Sequence, residues 1–307
     1  MKSEINKNPA MQLFLIVALC LVSTVIFSIL GAVTTALFFG FDLNNLSNYS
    51  DPNTIAGLKM FQLFSAIGLF IVPPIVYGIL RSKKPLALLR LKSFSKPINY
   101  GLVALLMVVS MPIMSWIVEL NANVVFPDFL SGVEQWMHQS EDDAMGLTKA
   151  FLTFDGIGSL IYVLIIVAVV PAIGEELLFR GVLQKSFIKL TNNPHWGIWI
   201  TAFLFSALHM QFFGFFPRML LGAVFGYLFL WSKSLWLPIL GHFINNGTVV
   251  IISYLYPTSV DEMESSLFAD DVTNTLISLV SLGLVVGILW FFRKVNDTSD
   301  DIELSDV

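Results

Sequence analysis

The sequence predicts an all-α, polytopic transmembrane helix bundle of about eight spans. Of its 307 residues, 56 % are hydrophobic and only 13 % are charged, and the mean hydropathy is +0.77. Soluble domains are nearer a quarter charged. The apolar residues also fall in uninterrupted runs of the length a helix needs to cross a bilayer, about twenty residues. Finally, the basic residues alternate from one side of those runs to the other, as membrane insertion requires.

The first span lies within Met11–Phe41, after Lys2 and Lys7. This uncharged run is too long for a signal-peptide core and is expected to be retained. Span two is Met60–Leu80, kinked or weakened by Pro73-Pro74. Span three is Ile98–Val118, and span four begins near Gly156 and runs into Glu175-Glu176. Span five starts after Pro194 and passes through His209 to about Phe216. Span six, roughly Met219–Trp231, is short but bounded by Arg218 and Lys233. Span seven is Leu235–Tyr256, containing His242, and span eight is Val272–Phe292.

With the N-terminus inside, one side holds Lys2, Lys7, Arg81, Lys83, Lys84, Arg90, Lys92, Lys96, Arg180, Lys185, Lys189, Lys233, Arg293 and Lys294. Those are fourteen of the seventeen basic residues; only Lys59, Lys149 and Arg218 fall opposite. This predicts a multi-pass protein of the plasma (inner) membrane with both termini cytoplasmic. The external loops are acidic: Glu119–Asp155 carries Glu134, Glu141, Asp142 and Asp143, with Trp136 as an interfacial anchor, and Asp261–Asp271 is acidic too. The expected organisation is a tail over 1–10, a membrane domain over 11–293 with its motif core at 171–247, and an acidic tail over 294–307. The single cysteine, Cys20, excludes an intrachain disulfide and a Cys-rich metal site. Gly222-x-x-x-Gly226 is expected to let two helices pack closely.

Ionisable groups inside spans are costly and mark functional sites by default. Glu175, Glu176 and Arg180 follow the uncharged run 156–174, and His209 and His242 lie within later apolar runs. Glu175 and His209 are each seventeen residues from Asn192. In a helical hairpin that places them at equal depth, about 25 Å from its tip. With Arg180, Lys185 and Lys189 in or above the headgroups, the carboxylate and imidazole come about 10 Å below the surface, and His242 at roughly 10–14 Å. The two glutamates point about 100° apart on a helix and need separate roles. Arg180, at i+4 from Glu176, is spaced for an ion pair. Glu175 is then the freer carboxylate, suited to general-base work in an apolar wall. Phe205 lies one turn before His209 and can pack on its ring. Asn246 lies one turn after His242, where the pair offers N–H donors to a developing oxyanion. Asn245 competes for that role, and a purely interhelical hydrogen-bonding role for Asn246 stays open.

At these residues the sequence resembles the CAAX-type prenyl endopeptidase and bacteriocin-processing protease family (CPBP, also called Abi). The resemblance rests on Glu175-Glu176-Leu-Leu-Phe-Arg180, Phe205-Ser-Ala-Leu-His209 and His242-Phe-Ile-Asn-Asn246, in that order on three different spans. It implies an intramembrane endopeptidase whose site opens to the cytoplasm. Glu175 and His209 would activate the attacking water, and His242 with Asn246 would stabilise the oxyanion. Glu176, Arg180 and Phe205 would support them. The family is commonly labelled metalloprotease, and a metal-free glutamate–water mechanism has also been proposed for it. A divalent metal such as zinc would draw on Glu175, His209 and His242, at the expense of the best general base. The implied partners are the bilayer and a membrane-embedded protein or peptide substrate, not nucleic acid. Two other readings stand beside the protease: a non-catalytic bacteriocin-immunity or scaffold protein that keeps the motifs, and a proton-coupled transporter, which the lack of an internal repeat disfavours.

Overall fold

The computed structural model describes residues 8–40, 48–122, 124, 126–257 and 271–296. The extreme N-terminus, the acidic stretch 261–270 and the tail from 297 onward lie outside these residues. Every described regular element is helical. We number the long helices α1 (Pro9–Phe39), α2 (Pro52–Arg81), α3 (Pro97–Ala122), α4 (Ser131–Phe151), α5 (Ile157–Thr191), α6 (Pro194–Ala207), α7 (Phe215–Ser232), α8 (Trp236–Leu255) and α9 (Asp271–Asn296).

Among the described residues, seven helices are long and apolar enough to cross a membrane: α1, α2, α3, α5, α7, α8 and α9. The expected fifth span is the exception. Helix α6 has 14 residues and ends at Ala207, so His209 sits in a turn and not in a helix. Turn formation there is local: His209 N bonds to Ser206 O, Met210 N bonds to Ala207 O, and Met210 adopts a left-handed φ of 53°. The expected external loop 119–155 also differs, because most of it folds as the amphipathic helix α4. Its polar residues recur among Trp136, Met145 and Phe151, a pattern the hydropathy of the segment as a whole conceals.

The bundle is apolar outside and partly polar inside, as a lipid-facing protein should be. On α1, Phe14 and Leu37 face outward, while Gln12, Ser23 and Thr35 are buried. Tyr77 of α2 donates to Gln12 Oε1 at 3.3 Å, and Thr35 donates to Gly57 O at 3.2 Å. Proline disrupts α3 at Pro112, and Ser281 of α9 repairs the break. Its hydroxyl donates to Val109 O at 2.6 Å and accepts from Ile113 N at 3.4 Å, replacing the helical bond between those two residues.

Two ends of the bundle can be told apart by charge. At one, Lys185 Nζ donates to Leu88 O (2.6 Å), Leu235 N to Arg90 O (3.4 Å) and Lys96 Nζ to Val295 O (2.8 Å). This basic end therefore gathers the close of α2, α5 and α9 and the start of α3 and α8. The acidic helix α4 lies at the other end, where Asn121 of α3 donates to the carbonyls of Phe212 and Phe213.

Helix α5 is irregular where it matters. It contains π-helical segments over Leu164–Val169 and Phe179–Gln184, with the α-helical Val170–Leu178 between them. Single π turns re-aim side chains and frequently occur at functional sites. Glu175 and Glu176 occupy the turn between the two. Gly174 brings this turn against α2, since a Cβ there would lie 2.9 Å from Phe70 Cβ and 3.0 Å from Ile71 Cγ1.

Candidate active site

Arg180 is fully buried, which departs from the headgroup position expected for it. A charge in such a place is tolerated only when it is paired and hydrogen-bonded. Its Nη1 donates to Glu176 Oε1 at 2.7 Å, the expected i,i+4 pair, and its Nη2 donates to Gly222 O at 2.8 Å. Phe205, Phe225 and Phe179 surround it, with ring centroids 4.8, 5.6 and 5.9 Å from the guanidinium carbon. One turn further along α5, Gln184 repeats the pattern by donating to Gly226 O at 3.0 Å. The Gly222-x-x-x-Gly226 pair thus brings α7 close and also exposes two carbonyls to buried donors. A Cβ on Gly226 would lie 2.8 Å from Ile198 Cγ2 and 2.9 Å from Gln184 Oε1.

His242 is buried on α8 and lies between the two glutamates. Its Nδ1 is 3.0 Å from Glu176 Oε1, and its Nε2 is 3.9 Å from Glu175 Oε2. The expected division of labour between the glutamates is corrected in one respect. Although they project in different directions from α5, both reach the same imidazole, one at each ring nitrogen. Glu176 also does more than brace Arg180, because its Oε1 accepts from both the guanidinium and the imidazole. Phe225 stacks on the His242 ring at 5.7 Å and 20°, and Phe205 meets it edge-on at 5.9 Å.

Glu175 is the less engaged carboxylate. Its Oε2 is buried and makes no hydrogen bond among the described residues. His209 is exposed, on the turn that follows α6. Phe205 holds it in two ways: its carbonyl bonds His209 Nδ1 at 2.8 Å, and its ring meets the imidazole at 5.2 Å. A carbonyl only accepts, so Nδ1 carries the proton and a neutral His209 presents a bare Nε2. The expected common depth of His209 and His242 is not reproduced in simple form. His242 is six residues, about 9 Å, from the start of α8 at the basic end. The His209 turn instead meets α4, through Phe212 on Trp136 (4.9 Å) and Phe213 on His138 (4.7 Å).

Asn246 donates one N–H to Val167 O, at 3.1 Å, in the first π segment of α5. Its Oδ1 accepts from Asn245 at 3.1 Å. One N–H of the Asn246 amide is therefore taken and one is left. Among the described residues, no three His, Cys, Asp or Glu side chains are gathered to hold a metal ion. Glu175, His209 and His242 are not gathered into a three-ligand zinc site in this arrangement.

Arg218 was legible only as a span boundary, yet it belongs to this neighbourhood. Its charge acts on both Glu175 and His209, and Gln211 Oε1 tethers it at 2.7 Å.

Residues 157–248 match the family model described as type II CAAX prenyl endopeptidase, Rce1-like. This segment, under a third of the chain, is similar to that family. It carries all three motifs that met at His242, and its bounds run from the first turn of α5 to the middle of α8. A relative in Bacillus subtilis (strain 168), the uncharacterized protein YpbD, is 28 % identical over 116 residues, 36 % of this chain. The chain spans about half the length of that curated relative, 54 %. No solved structure matches.

Proposed function

We propose that this chain is an intramembrane endopeptidase that hydrolyses peptide bonds of membrane-associated proteins or peptides. The observation that carries the reading is the buried sequence Glu175–His242–Glu176–Arg180, which lies within the Rce1-like segment. Arg180 pairs with Glu176, and Glu176 orients His242 through Nδ1, so that Nε2 faces the region beside Glu175. Glu175 has an unengaged carboxylate oxygen there and takes the proton of the attacking water. The bare Nε2 of His209 supports it on the exposed side. As the carbonyl becomes tetrahedral, His242 and the remaining N–H of Asn246 stabilise its oxyanion. Glu175 then returns the proton to the leaving amine. The charge asymmetry supports a cytoplasmic basic end, with both termini there and His242 on the cytoplasmic half of the membrane.

The test compares the membrane peptidome of cells carrying wild-type protein with that of cells carrying Glu175→Ala or His209→Ala at equal membrane levels. Loss of the same cleavage products in both variants is expected. Unchanged products in either would sink the proposal, and an unchanged cellular phenotype with Glu175→Gln would favour a non-catalytic scaffold.

A further inference from the structure

Helices α3 and α8 leave a groove between them at the basic end. It holds about 310 Å³ and is lined by Phe94, Tyr100, Trp236, Ile239, Leu240 and Phe243. A cavity of about 150 Å³ already admits benzene. The polar atoms on its rings are turned to the protein's own backbone: Trp236 Nε1 donates to Leu91 O at 2.9 Å, and the Tyr100 hydroxyl accepts from Ser95 N at 3.4 Å. What remains on the walls is carbon, so the groove favours an apolar group. Phe94 stacks on Trp236 at 6.0 Å and 4°, at the headgroup end where α8 begins.

The groove is continuous with the catalytic face of α8. His242, Asn246, Ile239 and Phe243 follow one another within an arc of about 100° around this helix. Ile239 packs in the same apolar cluster as Leu177 and Leu178, which follow Glu176, and as Phe205, which holds His209. The Phe243 ring reaches toward Asn246. A Cβ on Gly247 would lie 3.8 Å from Phe243 Cζ and 3.9 Å from Ala168 Cβ, beside the Val167 carbonyl that holds the Asn246 amide. The middle of the groove and the His242/Asn246 pair are about 7 Å apart along α8. An extended chain covers that distance in two residues, at about 3.3 Å each. An acyl chain descending from a headgroup would have to pass the Phe94–Trp236 stack, whereas a peptide held at Asn246 enters from the other end.

We propose that this groove takes an apolar side chain of the substrate, two residues from the scissile bond on the side toward the basic end. The assignment rests on the endopeptidase reading and adds a sequence preference to it. The full chain in phosphatidylcholine nanodiscs is offered a peptide library made by digesting a bacterial proteome, and the new termini that Glu175→Ala does not produce are sequenced. Leu, Phe or Met should be enriched at that one position. Leu240→Trp fills the groove and should shift the preference to Ala or Gly, with KM for a Phe-bearing peptide raised about tenfold. Phe243→Ala enlarges the groove and should admit Trp. Leu276→Trp, at an exposed position of α9, should leave the profile as in the wild type. A profile without the preference, or one that neither groove variant moves, overturns the groove alone. A lipid retained through purification, seen by native mass spectrometry and lost in Leu240→Trp while the cleavage profile stays unchanged, would give the groove to an acyl chain and overturn the proposal. No new termini from the wild type would overturn the endopeptidase reading and the groove's role together.

Discussion

Glu175 and Glu176 are neighbours in sequence and opposites in circumstance. Glu176 is pinned: its Oε1 accepts from a guanidinium and an imidazole and the residue is wholly enclosed, although its Oε2, like that of Glu175, makes no hydrogen bond among the described residues. Glu175 is buried beside the same imidazole, at the longer distance of 3.9 Å, with an oxygen that bonds nothing described. The difference separates the work of holding a site from the work of chemistry. A carboxylate whose oxygen holds a guanidinium and an imidazole is committed to positioning them, whereas one that holds neither is free to meet a water. The same contrast divides the histidines, one locked and buried, the other exposed on a turn.

The most damaging change is expected on the pinned side. Glu176→Gln leaves Arg180 as an unpaired buried charge, and breaking such a pair costs about 3–5 kcal/mol. The variant should lose most of its folded, detergent-extractable protein, measured as monodisperse yield and thermal midpoint. Replacing both partners by apolar residues of similar volume, as in Glu176→Leu/Arg180→Met, should recover much of that stability without recovering activity. Equal yields of wild type and Glu176→Gln would show that the pair is not a structural hold.

On the other side, Glu175→Gln should have the opposite profile. It should fold and insert as the wild type does, yet cleave about 10²–10⁴-fold more slowly. A stability loss as large as that of Glu176→Gln would erase the distinction between the two carboxylates.

Spacing along a single helix made half of this contrast readable. The Glu176–Arg180 pair, the Phe205–His209 packing and the Gly222/Gly226 contact are all i,i+4 relations that the helical repeat prescribes. Contacts between helices were not readable that way. Nothing in the spacing puts His242 on Glu176, because that contact depends on how α5 and α8 cross and on π segments with no sequence signature. Two further errors share one cause, which is that hydropathy reports composition and not environment. Arg180 reads as a headgroup residue because charge suggests exposure, yet Phe205, Phe225 and an opposing carbonyl make a buried place for it. The run through His209 reads as a continuous span, yet local bonds at 206–210 end the helix. The family motifs were legible because they are local; the single imidazole on which they converge was not.

A milder test acts on the packing that lets α7 approach. Gly226→Ala forces a methyl toward Ile198 and Gln184 and should cost about 1–3 kcal/mol through overpacking. Its effect on cleavage should follow the loss of folded protein, because Gln184 is one turn removed from the Arg180 pair. Gly101→Ala, at a position with open space around the Cβ, provides the matched control and should be almost neutral. A loss of cleavage per folded molecule in Gly226→Ala would mean that α7 positions the reacting groups and does not merely support them.

The smallest expected effect belongs to Arg218, and it sharpens the comparison most. Its charge reaches Glu175 and His209, the open half of the site, and it takes no part in the Glu176 pair. Arg218→Gln should therefore leave the thermal midpoint close to wild type while lowering kcat/KM by no more than about tenfold. Arg218→Lys, which keeps the charge and gives up the planar fork toward Gln211, should fall between the two. If the lysine variant instead matches glutamine, the Gln211 tether matters more than the charge, and the order of the 208–214 turn that carries His209 becomes the determinant. If both variants lose folded protein in step with activity, Arg218 belongs with Glu176 among the groups that hold the site.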